Sequence, residues 1–323
     1  MSAVVTYSPA YTLVPTYECF NRCSYCNFRV DPGGDTWLSL QAAQQRLGQL
    51  QNSGIIEILI LSGEVHPHSP RRRQWFDHIV ALCELALCLG FLPHTNAGPL
   101  SFEEMTRLRQ VNVSMGLMLE QITPALRATV HRHAPSKDPQ LRLQQLEWAG
   151  QLQIPFTTGL LLGLGETEAD WVEALRAIAA LQRRYGHIQE VILQPHSPGQ
   201  RQQQAGQPFP PERLLRAVQV ARAQLGEEVI LQIPPNLVSP PQLQACLAAG
   251  ARDLGGIGPT DEVNPDYPHP TAANLQVAMG NLWQLRPRLP VYPHHDDWLP
   301  EQLRSQVIQW RRRLSTPTAG SII

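Results

Sequence analysis

What this 323-residue chain lacks narrows its class before any motif is considered. No stretch approaches the ~18 uninterrupted apolar residues of a membrane span, so no membrane partner is expected. The opening residues, MSAVVTYSPAYTLVP, have neither the basic start nor the apolar core of a secretory signal. Six cysteines are too few for a disulfide framework in a chain this long, which makes the reducing cytoplasm the expected location. A net charge of −1 argues against disorder and against a nucleic-acid partner. The run Arg71-Arg72-Arg73 reads as a solvated loop or helix start rather than a phosphate site.

What is present is an alternation of strand and helix patterns, with no linker or low-complexity segment. Apolar residues make up 43 % of the chain, enough for a large core. Strands are expected at 11–16, 55–61, 91–94, 111–119, 156–162, 190–194, 229–233 and 253–255. Helices are expected between them, notably 38–51, 140–152, 168–185 and 211–225. Ser101-Phe-Glu-Glu104 has the spacing of a capping box, and Ser239-Pro-Pro-Gln242 sets an N-cap before a first-turn proline. About eight strand–helix units predict an α/β fold of the (β/α)8 TIM-like barrel type, closed or nearly closed; an open doubly wound sheet is the alternative. The chain then reads as one domain over 1–323, with about 265–323 as a C-terminal extension packed on the barrel. A barrel gathers its chemistry after the strands, where the glycine-rich and polar segments of this sequence fall.

The most informative segment lies between the first strand and the first helix: Cys19-x3-Cys23-x2-Cys26, within a loop at 17–28. A structural zinc site wants four ligands, and the loop holds no fourth Cys or His. A ferredoxin-type carrier also uses four thiolates per cluster. Three thiolates on a 4Fe-4S cubane leave one iron open to a small molecule. Cys83, Cys88 and Cys246 lie in apolar helical patterns and read as buried structural thiols.

This loop, with aromatic Tyr25 before its last cysteine, resembles that of the radical S-adenosylmethionine (SAM) superfamily. The resemblance implies one 4Fe-4S cluster on Cys19, Cys23 and Cys26, with SAM chelating the open iron and giving a 5′-deoxyadenosyl radical after one-electron reduction. It also implies roles for other strand ends. Ser62-Gly63-Glu64 is similar to a Gly-Gly-Glu motif that meets the SAM ammonium. Gly159, Leu161 and Gly163 fall in a G-x-I-x-G-x-x-E pattern near adenine. Glu120 corresponds to a residue that meets the ribose hydroxyls, and Arg142 to an arginine that pairs with the SAM carboxylate. Asn96 joins this cofactor-binding set, and Tyr25 and Phe28 become walls around cluster and adenine.

Longer segments narrow the resemblance: PHTNAG (93–98), SMGLMLE (114–120), IPFTTGLLLGLGET (154–167), IPPNL (233–237) and GGIGPTDEVNP (255–265). In order along nearly the whole chain, they resemble the CofG-type family of FO synthase subunits, FO being 7,8-didemethyl-8-hydroxy-5-deazariboflavin. That resemblance implies a small-molecule substrate, an adduct of tyrosine and 5-amino-6-ribitylamino-uracil made by a CofH-type sister subunit. It also implies an external one-electron donor such as flavodoxin or ferredoxin, ring closure and ammonia release. Asn236, Asp253 and Asn264 are the expected substrate contacts. His66, His68, His131 and His133 are read as exposed or hydrogen-bonded, and YPHHDDW (292–298) as a surface turn. A radical SAM enzyme of menaquinone (futalosine) biosynthesis or a CofH-type subunit is the nearer alternative. A non-catalytic iron–sulfur or zinc protein is the one from another class.

Overall fold

The computed structural model describes residues 3–202 and 207–315; the end of the expected C-terminal extension, 316–323, lies outside the described residues. Eight parallel strands close into a barrel: β1 (Ala3–Leu13), β2 (Glu57–Leu61), β3 (Leu92–Asn96), β4 (Ser114–Gly116), β5 (Phe156–Leu162), β6 (Ile188–Pro195), β7 (Ile230–Gln232) and β8 (Asp253–Ile257). They pair in sequence order, β8 returns to β1, and β1 also pairs with β2. The alternating helices are α1 (Leu40–Gln49), α2 (Arg72–Cys88), α3 (Phe102–Leu108), α4 (Pro139–Gln151), α5 (Glu168–Tyr185), α6 (Pro211–Gln224), α7 (Pro240–Ala248) and α8 (Ala272–Met279). This is the (β/α)8 arrangement, and it excludes the open doubly wound sheet. No described helix is long and apolar enough to cross a membrane.

Local chemistry explains the boundaries. Ser101 and Glu104 satisfy each other's backbone amides in the capping box that starts α3. Thr167 and Asp170 do the same for α5, and Gly186 ends that helix in the left-handed region at φ 69°. Strand β5 is buried along its whole length, as a parallel strand covered on both faces must be. Strand β1 starts eight residues before its expected position; its register with β8 shifts between Thr6 and Ser8, and Pro9 follows the shift opposite Ile257. The expected strand at 111–119 shortens to Ser114–Gly116. Beyond it the chain pairs irregularly with β5 and ends at Glu120, a non-glycine residue with φ 65°.

The C-terminal part does more than pack on the barrel. Strand β9 (Trp283–Pro287) pairs in parallel with the first residues of β1. Helix α9 (Glu301–Ser315) follows a 3-10 helix at Pro293–Trp298. Leu289, Val291, Leu303 and Val307 form an apolar plug against Ile56, Leu92 and Val113, at the N-terminal ends of the barrel strands. YPHHDDW is therefore not a plain surface turn: His295 is buried, and the Tyr292 hydroxyl reaches Glu190 at 3.0 Å. Among the other thiols, Cys83 and Cys246 are buried as expected, whereas Cys88, at the last turn of α2, is exposed.

Candidate active site

One cavity of about 360 Å³ runs through the barrel, from the cysteine loop at the C-terminal mouth to Glu57 and Glu190 at the floor. Cys19, Cys23 and Cys26 all line it, and none is in a disulfide. The loop that carries them is held by buried polar contacts. The Glu18 carboxylate accepts from the Gly33 amide (3.0 Å), the Trp37 indole (3.2 Å) and Arg71 (2.9 Å), whose guanidinium also stacks over Trp37. Arg71 thus clamps the loop, while Arg72 begins α2 and pairs with Glu104. The backbone amides of Arg22 and Ser24 donate to His133 and Val130, tying the loop to the segment after β4.

Burial pushes the Cys19 thiol up to about 11, with Glu64 adding to the effect, and burial pushes Cys23 up to about 12. Bare thiols here stay neutral; a bound cation reverses that preference by stabilising thiolate. The donor set fits a cluster. Cys19, Cys23 and Cys26 are soft sulfur donors lining one cavity, the donor type an iron–sulfur centre uses.

The end of β2 forms the wall beside the loop. A Cβ on Gly63 would sit 2.1 Å from the Glu18 carbonyl oxygen, so only glycine lets this strand end approach the loop so closely. Ser62 is anchored by the Trp75 indole at 2.9 Å. Glu64 faces the cavity, accepts from Asn21 at 3.0 Å and lies 3.6 Å from Arg142. Gly98, at φ 74°, packs against the Glu64 side chain, where any Cβ would collide with it. Asn96, the last residue of β3, lines the cavity, and its carbonyl accepts from the Ser62 amide.

Across the mouth, Glu120 and Lys137 pair at 2.5 Å. Burial opposes the Glu120 charge, but Lys137 and Arg142 outweigh it and hold the carboxyl below its usual range. Burial and the Arg142 charge act to lower Lys137, yet Glu120, Cys23 and Glu64 leave its pKa raised. Arg142 lines the cavity but is almost fully buried. Its Nε donates to the Ser136 carbonyl (3.0 Å) and Nη1 to the Met118 carbonyl (2.5 Å). Much of its fork is therefore committed to the protein. Tyr25 and Phe28 both line the cavity; Tyr25 bonds His131 Nε2 at 3.0 Å, and Phe28 packs on Tyr17.

The glycine strand divides. Leu161 lines the cavity, whereas Gly159 and Gly163 do not. A Cβ on Gly159 would meet the Ile192 carbonyl at 2.4 Å and Met118 Sδ at 2.8 Å, so that glycine serves strand packing. Gly163 has φ 102°, and Glu166 bonds the Gly163 and Leu164 amides at 2.7 Å each, closing the turn. Asn236 faces the cavity with its Oδ1 unpartnered, while its Nδ2 holds Asp261 and the Tyr267 carbonyl. Asn264 also lines the cavity, but its amide groups are engaged by Asp261. Asp253 is corrected: it opens β8 at the floor, not the mouth, is wholly buried and is bound by Arg288 and the Gly255 amide. Its position as the first strand residue, rather than the last, puts it at the barrel's N-terminal end.

Three residues of the cavity were not expected from the sequence. Lys137 is the chain's only lysine among 26 basic residues, a compositional signal that was there to be used. His196 lines the cavity with a buried, unpartnered Nε2, and Asn21 braces both Cys19 and Glu64; neither has a distinctive sequence context. His66, His68 and His133 are exposed, and His131 is hydrogen-bonded to Tyr25.

Comparison with known proteins adds independent findings. Residues 13–178 match the radical SAM superfamily. A protein of Trichormus variabilis named 7,8-didemethyl-8-hydroxy-5-deazariboflavin synthase is 64 % identical over 310 residues, covering 95 % of this chain and 91 % of that protein. A Synechococcus elongatus protein of the same name is 62 % identical over 322 residues, covering 99 % and 96 %. Among solved structures, the FeFe-hydrogenase maturase HydG from Carboxydothermus hydrogenoformans aligns over 97 % of this chain and 79 % of its own, with a TM-score of 0.71 at 16 % identity. Methylornithine synthase (PylB) aligns over 80 % and 73 %, with a TM-score of 0.61 at 15 % identity. At such identities these two structures speak to the fold alone.

Proposed function

Because the chain belongs to the radical SAM superfamily and, within it, to the 7,8-didemethyl-8-hydroxy-5-deazariboflavin synthase family, we propose that it completes the FO ring system. Its substrate on this reading is the adduct that a CofH-type enzyme makes from tyrosine and 5-amino-6-ribitylamino-uracil. Held there, a 4Fe-4S cluster and SAM would supply a 5′-deoxyadenosyl radical to take one hydrogen atom from the adduct, and the substrate radical would give up one electron and one proton as the ring closes and ammonia leaves, so that SAM is the net oxidant.

The chain's own residues bind, orient and exclude water. Cys19, Cys23 and Cys26 hold the cluster. Glu64, Glu120, Lys137 and Arg142 give the mouth paired charges that suit a zwitterionic amino acid and a ribose; Lys137 is the compact cation among them. Tyr25, Phe28 and Leu161 provide the apolar wall. The β2 turn at Ser62-Gly63 brings backbone against the cluster loop. Asn236 and His196, which line the cavity, are the substrate contacts on this reading. The reduced cluster takes its electron from an external donor such as a flavodoxin or ferredoxin.

The single observation that carries this reading is three free cysteines, spaced as an open cluster site and facing one cavity with those charged groups. Anaerobic incubation of the reduced, cluster-loaded protein with SAM and the CofH-type product should yield FO and 5′-deoxyadenosine. Deoxyadenosine without FO would overturn the substrate assignment while leaving the superfamily intact.

A further inference from the structure

The inner layers of an eight-stranded barrel are ordinarily filled by branched apolar side chains. Here the lower layers are polar, and the groups fall into two sets. One set is satisfied: Arg288 enters from the C-terminal segment and pairs with both Glu190 and Asp253, while Thr157 and Tyr292 each hydrogen-bond Glu190 at 3.0 Å. Glu190, Arg288 and Thr157 of that set line the cavity too, but the other set lines it with hydrogen-bonding capacity left over. Among the described residues the Glu57 carboxylate has no hydrogen bond: Ser8 lies beside it with its own Oγ unpartnered, and Arg288 acts on it through its charge. His94 bonds Ser114 through Nδ1 at 2.7 Å, which leaves Nε2 to the cavity; burial pushes its pKa down to about 3, so the ring is neutral. Gln232 lines the cavity, and its carboxamide has no hydrogen-bond partner among the described residues.

These three residues lie on facing walls. Glu57 is on β2 and His94 on β3, whereas Gln232 is on β7. In the closed strand order β3 and β7 are four strands apart, and so are β2 and β6, which places each pair across the barrel. Buried hydrogen-bonding groups without protein partners are costly unless water or a ligand satisfies them. The groups point inward from opposite sides, so they suit a ligand with donors and acceptors all round it. A chain bearing several hydroxyls has that character; a planar imide presents one edge. The floor carries three carboxyl groups and one guanidinium already in two ion pairs, so it also favours a neutral chain over an anionic one.

Resting on the FO reading above, we propose that Glu57, His94 and Gln232 form the subsite for the hydroxylated side chain of the substrate and product, which enters the barrel chain-first. The reacting ring then lies nearer the mouth and its radical source.

The test is binding of two fluorescent deazaflavins to the cluster-loaded enzyme: one with a ribityl chain and one with a methyl group in its place. Glu57→Gln and Gln232→Leu, each checked for native iron content and melting temperature, should weaken the ribityl compound at least tenfold. They should change the methyl compound less than twofold. The same selective loss should appear in KM for the adduct. Equal losses for both ligands, or no loss for either, would overturn the proposal. Failure of the unsubstituted enzyme to bind the ribityl compound would overturn the functional reading itself, and the subsite with it.

Discussion

The two ends of the barrel are built by opposite means. At the mouth, short runs of neighbouring residues do the work: a cysteine loop, a Ser-Gly-Glu turn, and a strand end where Glu120 is held at φ 65°. Such a backbone costs on the order of 1–3 kcal/mol, and it persists where surrounding contacts over-determine it. At the floor, single residues from distant strands and from the C-terminal segment meet in one ion-paired layer. The mouth is shaped to receive charged and metallic groups, whereas much of the floor is already satisfied. In the proposed function the difference separates two tasks, generating a reactive species and recognising what it acts on.

Breaking the mouth should have the largest effect. Cys23→Ser should abolish cluster assembly and SAM cleavage together, whereas Cys88→Ser, at an exposed position outside the cavity, should retain both iron and sulfide. Iron analysis and deoxyadenosine yield check this, and activity retained by the Cys23 variant would refute the three-ligand site. Next, Arg288→Met leaves the buried Glu190 and Asp253 without their cation, and should cost about 3–5 kcal/mol in urea unfolding. A loss below about 1 kcal/mol would mean that the floor network is incidental.

Acid should act on the barrel body more gently. Burial lowers His94 to about 3 and His187 and His295 to about 4, so these rings take up protons in the unfolded chain before they do so in the fold. Their contribution is fully present above the ordinary histidine range and is lost as pH falls through about 6.5 toward 4. Lowering one ring's pKa by a single pH unit corresponds to at most about 1.4 kcal/mol of that contribution. Glu190 works the other way: burial raises it to about 7, so its contribution is greatest at low pH and fades as pH rises through that value. His131, also lowered to about 4, makes four such histidines against two raised carboxyls, Glu190 and Glu57, so the urea midpoint should fall between pH 6.5 and 4.5. A midpoint that rises over that interval would show the floor carboxyls to dominate. The smallest effect concerns Lys137. As the only lysine, it can be followed by reductive methylation and mass spectrometry, and SAM should slow its modification severalfold. An unchanged rate would remove Lys137 from the SAM site.

The same contrast explains what the sequence made legible. The cysteine loop, the Ser-Gly-Glu turn and the capping boxes are local patterns, because their geometry is set by residues a few positions apart. Strand β5 and helix α5 match their expected bounds to the residue, β5 running from Phe156 to Leu162 and α5 ending before Gly186. Asp253 was misplaced because a short apolar-glycine stretch does not show which end of the strand a carboxylate occupies. The pairing of Arg288 with Glu190 joins residues almost 100 positions apart, and no spacing rule reaches that far. Strand β9 went unread because its residues, Trp-Gln-Leu-Arg-Pro, pair only along the exposed start of β1 and show weak alternation.

The central claim is that three sulfur ligands at the mouth leave one iron for SAM. Titrating the anaerobically reduced protein with SAM under electron paramagnetic resonance tests it most directly. A 4Fe-4S signal should change and saturate near one SAM per chain. A spectrum indifferent to SAM, or zinc bound in place of iron, would contradict it.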